Sequence, residues 1–191
     1  YELNLNTREE GVLYQSQQLQ AGCLHYQAPM FILWISNREK NPRTVDVLDL
    51  SNLDNIVPTY SAVTTTLKRI SDLCYVASCA RVNNPLVVCV DSDNSIEAID
   101  VSDNAVRWKV TGEVGGAKIK PHSITSTPSG SLYVVDHKKR VLEFEAATGN
   151  YRGAVLVQEG LNGAAGQGIG EPWCVRYDRD TGPRGCLLLL H

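Results

Sequence analysis

The sequence predicts an all-β protein built from repeated four-stranded antiparallel sheets, the blades of a β-propeller. Short runs of β-branched and aromatic residues alternate with turn residues along the chain, and no amphipathic helix stands out. Two stretches also match each other in register at an offset of 45 residues. A unit of four strands in about 40–50 residues is typical of a propeller blade.

The internal repeat is clearest in two apolar runs that each end in aspartate. The run LVVCVD ends at Asp91 and the run SLYVVD ends at Asp136, 45 residues later. Ile96 matches Val141 at the same offset, and a turn and a further strand candidate follow in both stretches. One such unit is too small to bury its own faces, so the units have to stack on one another. A β-sandwich would not need a repeat in register.

The same strand pattern extends towards both ends of the chain. Residues 31–35 and 45–49 predict a strand pair, and the β-branched run 63–67 predicts a strand rather than a helix. Downstream, the sequence around 172–178 is similar to 121–127 and leads to an apolar run at 187–190. We therefore expect one propeller region over residues 1–191, divided into the approximate blades 12–71, 72–115, 116–160 and a partial blade 161–191.

The four consecutive leucines at 187–190 stand where the second strand of a blade is expected. This predicts an incomplete ring, or a piece of a longer propeller. An apolar strand edge left unpaired is a template for another chain, so self-association is expected at this edge.

Composition limits the classes of function. The chain of 191 residues has a net charge of −3, without the basic excess of a dedicated nucleic-acid binder. No apolar run is long enough to cross a bilayer and no signal peptide is visible, so we expect a cytoplasmic protein that does not contact membranes. The six cysteines form no CxxC pair, and most are expected to be small buried hydrophobic residues. Their even number leaves a secreted, disulfide-bonded protein open.

Between Pro121 and Val157 the sequence resembles an NHL-type propeller repeat. The shared elements are Pro-x-x-apolar at 121–124, a turn at Gly130, a strand ending at Asp136, an apolar strand at 140–144 and a turn at Gly149. The run from 98 to 108 resembles quinoprotein-type repeats as well. The resemblance implies the propeller fold, and it implies single-stranded RNA as one known class of ligand. A fold alone does not imply an activity.

No cofactor, metal or catalytic residue is predicted. The lyase branch of the propeller family has zinc-binding histidines at blade starts, where this chain has His122, but the matching position in the next blade is Trp173. One histidine cannot hold zinc, which takes three or four protein ligands. Asp91 and Asp136 are expected to accept hydrogen bonds from loop amides rather than to bind metal.

The candidate binding residues lie where blades begin and at one hairpin tip. A basic tip would be formed by Lys138, Lys139 and Arg140, and it would meet phosphate or an acidic partner, or would only be solvated. Trp173 stands at a blade start, where an aromatic side chain can anchor a ligand. Core packing explains this tryptophan equally well. The full set of candidates is His122, His137, Lys138, Lys139, Arg140, Trp173 and Arg176.

Two hypotheses of function follow. The first is a recognition scaffold that binds a protein or peptide partner through blade loops, with single-stranded RNA as the variant that the resemblance implies. The alternative is a propeller enzyme of hydrolase or lyase type with a metal site in its central channel. No motif in the sequence supplies the residues of such a site.

Overall fold

The computed structural model contains strands and turns, and its described residues include no helix. Described are residues 2–4, 9–11, 21–27, 32–37, 43–49, 58–91, 93–157, 174–178 and 186–190. Within these ranges no helix is long and apolar enough to cross a membrane.

Three antiparallel sheets have four strands each, and in each sheet the strands follow one another in chain order. We call these sheets blades 1, 2 and 3. The strands of blade 1 are β3 (Ala21–Gln27), β4 (Ile32–Asn37), β5 (Arg43–Asp49) and β6 (Pro58–Thr65). The strands of blade 2 are β7 (Asp72–Val76), β8 (Leu86–Asp91), β9 (Ser95–Asp100) and β10 (Val106–Thr111). The strands of blade 3 are β13 (Pro121–Ser126), β14 (Ser131–Asp136), β15 (Arg140–Glu145) and β16 (Tyr151–Val157).

Three further strand pairs complete the described structure. They are β1 (Glu2–Asn4) with β2 (Glu9–Gly11), β11 (Glu113–Val114) with β12 (Ala117–Lys118), and β17 (Cys174–Asp178) with β18 (Cys186–Leu190). The last pair, which we call blade 4, confirms the two strands predicted near the end of the chain. The sequence did not predict the other two pairs. The proposed blade limits and self-association at β18 stay predictions.

The first strands of successive blades lie side by side and run in the same direction. The backbone N–H groups of Val175 and Tyr177 in β17 donate to the side chains of Ser123 and Thr125 in β13, at 3.2 and 3.1 Å. In the same way, Ile124 of β13 donates to the Asp72 carboxylate of β7 at 3.1 Å. Sheets joined along their first strands, each strand antiparallel to the next, are the blades of a β-propeller. The predicted fold class is confirmed.

Blades 2 and 3 follow the predicted 45-residue register in their backbone conformation. Asn94 and Lys139 both have positive φ, at 84° and 61°, in the turn between the second and third strands. Asn104 and Gly149 share the same feature in the next turn, at 57° and 72°. An ion pair repeats as well, because Arg107 binds Asp100 and Arg152 binds Glu145, each at 2.7 Å.

Each blade buries both faces against its neighbours. In β8, Val88 and Val90 pack towards blade 3, and Val87 and Cys89 pack towards blade 1. This period of two is what a strand that is covered on both faces requires. The residues fully buried between the blades, at 0% exposure, include Val88, Val90, Ile99, Val135 and Phe144.

Trp108 lies between blades 2 and 3. Its Nε1 donates to the Ala146 carbonyl at 2.8 Å, and its ring covers Gly149. A Cβ atom at Gly149 would lie 2.6 Å from the Trp108 ring, and the φ of +72° is itself unfavourable for other residues. Glycine at this turn therefore serves both the backbone and the packing of the indole.

A buried carboxylate joins blades 1 and 2. Glu97 of β9 is fully buried and accepts hydrogen bonds from the Thr65 hydroxyl at 2.7 Å, from the backbone N–H of Thr66 at 2.8 Å and from the Thr66 hydroxyl. Lys109 Nζ lies 3.1 Å from the second carboxylate oxygen. Burial raises the pKa of Glu97, but the hydrogen bonds from Thr66, Thr65 and Lys109 outweigh it, so the pKa is lowered. The residue at the equivalent position of blade 3 is Leu142.

The cysteine expectation is confirmed for Cys74 and Cys89, which are fully buried free thiols. Cys79 and Cys174 are half-buried free thiols. Burial, and then the charge of Asp72, raise the pKa of the Cys74 thiol. This sulfur therefore stays protonated and does not act as a nucleophile.

Phe144 provides a test of the stacked core. Phe144→Ala should lower the free energy of unfolding by about 3–5 kcal/mol, because a fully enclosed ring leaves a cavity. Chemical denaturation of both proteins measures the difference. Val155→Ala is the control on the neighbouring strand; Val155 is 54% exposed, so its loss should stay within about 0.5 kcal/mol. Equal effects of the two substitutions would contradict the stacked-blade core.

Asp100 makes stability depend on pH. Burial raises the pKa of Asp100, but hydrogen bonds from Asn84, Arg107 and Ser102 outweigh it and hold the pKa far below its usual value. An unfolded aspartate has a pKa of about 3.9, so the unfolded chain takes up this proton more readily. The stabilisation is complete above about pH 5 and is lost as the pH falls through the folded pKa.

Asp100→Asn should therefore destabilise the protein at neutral pH, and the difference from the unsubstituted chain should shrink in acid. Urea unfolding from about pH 7 to about pH 3 measures this. Asp103→Asn is the control, since Asp103 contacts the same arginine but is exposed. A difference for Asp100→Asn that is independent of pH would show that the carboxylate charge is not what stabilises this turn.

Candidate binding face

One end of the blades collects the blade-to-blade connectors. In blade 3, Pro121 pairs with Asp136 and Arg140 pairs with Val157, so β13 and β15 begin where β14 and β16 end. Blade 2 has the same arrangement. Because the first strands of the blades are parallel, these ends lie on one side of the molecule. We call this side the connector face; it carries the connectors 66–71 and 112–120 and the turns 93–94 and 137–139.

The aspartate before each of these turns organises its backbone, as predicted. Asp136 Oδ1 accepts the N–H groups of Lys138 and Arg140 at 2.9 and 3.2 Å. In blade 2, Asp91 accepts the N–H of Asp93 at 2.9 Å and that of Arg69 at 3.3 Å. The second of these bonds also fixes the connector 66–71 beside the turn of blade 2.

Arg140 does not belong to the basic tip, which corrects the sequence-based interpretation. It is buried at 8% exposure, and its Nε and Nη2 bind the second oxygen of Asp136 at 3.0 and 2.5 Å. Its Nη1 lies 3.4 Å from the Val114 carbonyl of β11. The guanidinium thus ties the β11–β12 hairpin to blade 3. The sequence could not show this, because the partner carbonyl lies on a hairpin that was not predicted.

The tip that remains consists of Lys138 and Lys139, and His137 precedes them in the same turn. His137 and Lys138 are exposed and Lys139 is half-exposed. Lys139 adopts the left-handed conformation that blade 2 gives to Asn94, a residue that tolerates it better than lysine does. Since Asp93 and Asn94 fill the equivalent turn of blade 2, the fold itself does not require lysines here.

His122 and His137 lie together beside this tip. Their ring centroids are 5.0 Å apart, and the backbone N–H of His137 donates to the Lys120 carbonyl at 3.0 Å. Among the described residues, no group of three or more His, Cys, Asp or Glu side chains is placed to hold a metal ion. The prediction that the protein binds no metal stays a prediction.

Arg176 belongs to a network between first strands rather than to the tip. Its Nη1 donates to Asp72 at 3.0 Å and to Ser123 Oγ at 3.2 Å, and Ser123 Oγ donates to Asp72 at 3.0 Å. The side chain is still 43% exposed. Charge and hydrogen bonding to Asp72 outweigh the effect of burial and raise the pKa of Arg176. This network connects blades 2, 3 and 4. Trp173 lies outside the described residues.

Cations predominate on the connector face. Among the described residues of these connectors and turns, the exposed or half-exposed cations are Lys68, Arg69, Lys118, Lys120, Lys138 and Lys139, and the exposed acids are Asp93 and Glu113. Among the described residues, no ion-pair partner is found for Lys68, Arg69, Lys118, Lys120 or Lys138.

At the opposite end of the blades, the described positive charges are balanced by carboxylates. There, Arg107 binds Asp100 and Asp103, and Arg152 binds Glu145. Sequence analysis missed the four connector cations, Lys68, Arg69, Lys118 and Lys120. The sequence feature that could have identified them is their position, since each lies within four residues of the start of a first strand.

The parallel first strands and the sequential four-stranded sheets define the chain as a β-propeller. Among solved structures it is similar to a propeller chain of the nidogen/laminin complex, with a TM-score of 0.61 and 14% sequence identity. The match covers 93% of this chain and 61% of that one, so the chain spans less than two thirds of its neighbour. At this identity the likeness shows the fold alone. No protein-family profile and no curated protein matches the chain, and its NHL type stays a prediction.

Lys139→Asn tests whether the positive φ at position 139 makes lysine unfavourable there. The substitution should raise the free energy of unfolding by about 0.5–1 kcal/mol, because asparagine adopts positive φ more readily. Lys138→Asn is the control one residue earlier and should give no such gain. Chemical denaturation measures both. A loss of stability for Lys139→Asn would show that the lysine itself stabilises this turn.

Proposed function

We propose that this propeller is a recognition scaffold whose connector face binds an acidic protein or peptide partner. The observation that carries the proposal is the separation of charge. The chain has a net charge of −3, yet the described connectors and turns of one face carry six exposed or half-exposed cations against two exposed acids. Five of those cations have no ion-pair partner among the described residues. Charge of one sign on one face steers an oppositely charged partner and fixes its orientation.

The polar groups of the first strands support a scaffold rather than an enzyme with a central-channel site. Asp72, Ser123 and Thr125 each accept a backbone N–H of the next blade, and Arg176 binds across them. Groups engaged in this way hold the blades together. For the enzyme hypothesis, no group of three or more His, Cys, Asp or Glu side chains among the described residues is placed to hold the metal of a central-channel site.

A protein partner is also the kind of ligand that the structural neighbour has, since that chain was solved as a nidogen/laminin complex. That complex concerns the neighbour, and this chain covers 61% of it. RNA, the other ligand class that the sequence resemblance implies, would also be attracted to cations. It becomes an outcome of the test.

Fluorescence anisotropy with simple probes tests this proposal. We expect a labelled oligoglutamate peptide to bind the chain, an oligolysine peptide of the same length not to bind, and the binding to weaken as salt screens the charges. Lys138→Glu should weaken oligoglutamate binding by at least about two- to fivefold, which is the size of one exposed charge interaction. Arg81→Glu is the matched control, because Arg81 is exposed at the opposite end of the blades and its reversal should have little effect.

Three results would contradict the proposal. Oligoglutamate that binds no better than oligolysine would show that the connector face does not select an acidic partner. An equal loss for Arg81→Glu would show that only total charge matters. Tighter binding of a poly(U) RNA of matched charge than of oligoglutamate would identify nucleic acid as the partner instead.

A further inference from the structure

The cations of the connector face form two groups that differ in charge. The blade 3 group has Lys118, Lys120, Lys138 and Lys139. Glu113 lies opposite Lys118 in the register of the β11–β12 hairpin. The blade 2 group has Lys68 and Arg69 beside an exposed acid, Asp93. At the offset of 45 residues, Asp93 of blade 2 is the counterpart of Lys138 of blade 3.

Two hydrogen bonds to Asp91 place Asp93 within the face. The Asp93 N–H donates to Asp91 Oδ1 at 2.9 Å, and Arg69 N–H donates to Asp91 Oδ2 at 3.3 Å. One carboxylate therefore holds both the turn that bears Asp93 and the connector that bears Lys68 and Arg69. In blade 3, the His137 N–H donates to the Lys120 carbonyl at 3.0 Å and joins turn and connector in the same way.

We infer that the partner is a polypeptide segment with an acidic cluster for the blade 3 group and a basic residue nearby for Asp93. This rests on the proposed function and names the chemistry of the ligand at the same face. A uniform polyanion, such as a nucleic-acid strand, would meet repulsion at Asp93. A segment of mixed charge avoids that repulsion and gains a pair there. Specificity thus comes from a repulsive element as well as from attraction.

Asp93 suits a charge-swap experiment because its turn tolerates lysine. Its side chain is exposed, and blade 3 places Lys138 at the equivalent position of the same turn. Asp93→Lys should therefore fold, which circular dichroism and thermal unfolding would confirm. Asp103→Lys is the matched control, since Asp103 is an exposed acid at the opposite end of the blades.

The ligands are two peptide series that differ at one residue. Each peptide has a run of glutamates, a neutral spacer of graded length, and then either lysine or glutamate. At low ionic strength the unsubstituted chain should prefer the lysine series at its best spacer by about two- to fivefold. Asp93→Lys should prefer the glutamate series by a similar factor, and Asp103→Lys should keep the original preference.

The outcomes separate this inference from the proposed function. If neither series binds, the proposed function fails. If both bind the unsubstituted chain equally at every spacer, the acidic partner stands and the mixed-charge ligand is wrong. A lysine preference that persists in Asp93→Lys would show that another group selects the basic residue and would overturn the role of Asp93.

Discussion

A four-stranded sheet with two apolar faces is stable only when both faces are covered, and this constraint determines the rest of the molecule. In β8 every residue is buried, because blade 1 covers one side and blade 3 covers the other. Covering both sides stacks the blades with their first strands side by side, and because these strands are parallel, the described connectors lie on one face. The position of the connector face is therefore a geometric result of how the sheets bury their apolar surface.

Side chains that connect first strands add direction to this packing. Asp72 and Ser123 each accept a backbone N–H of the following blade. Hydrogen bonds have narrow geometric limits, whereas apolar contacts do not. Burial brings the blades together, and these bonds determine the alignment of one first strand against the next.

The sequence predicts most of the fold because its pattern is local. Apolar runs that end in Asp91 and Asp136 predicted both the strands and the hydrogen bonds to loop amides. Phe144 and the core valines were predictable for the same reason, since alternation identifies buried positions.

The candidate site was less predictable because it depends on contacts between distant segments. Arg140 belongs to a run of basic residues in the sequence, and only the β11–β12 hairpin and Asp136 show that it is buried. Arg176 reaches Asp72 across 104 residues of chain. Lys68 and Lys120 belong to no motif, and they become neighbours of the turns only when the first and second strands of each blade pair.

Glu97 has a consequence for the order of the repeats. Repeated sheets of similar shape could in principle exchange places or dock with a foreign copy. Between blades 1 and 2 the carboxylate finds two threonines and Lys109, whereas the same position in blade 3 is Leu142. Against an apolar neighbour, Glu97 would lose water without gaining these donors, which is costly for a charged group. This one side chain therefore makes the two interfaces non-interchangeable and opposes the pairing of blade 2 with the wrong blade face.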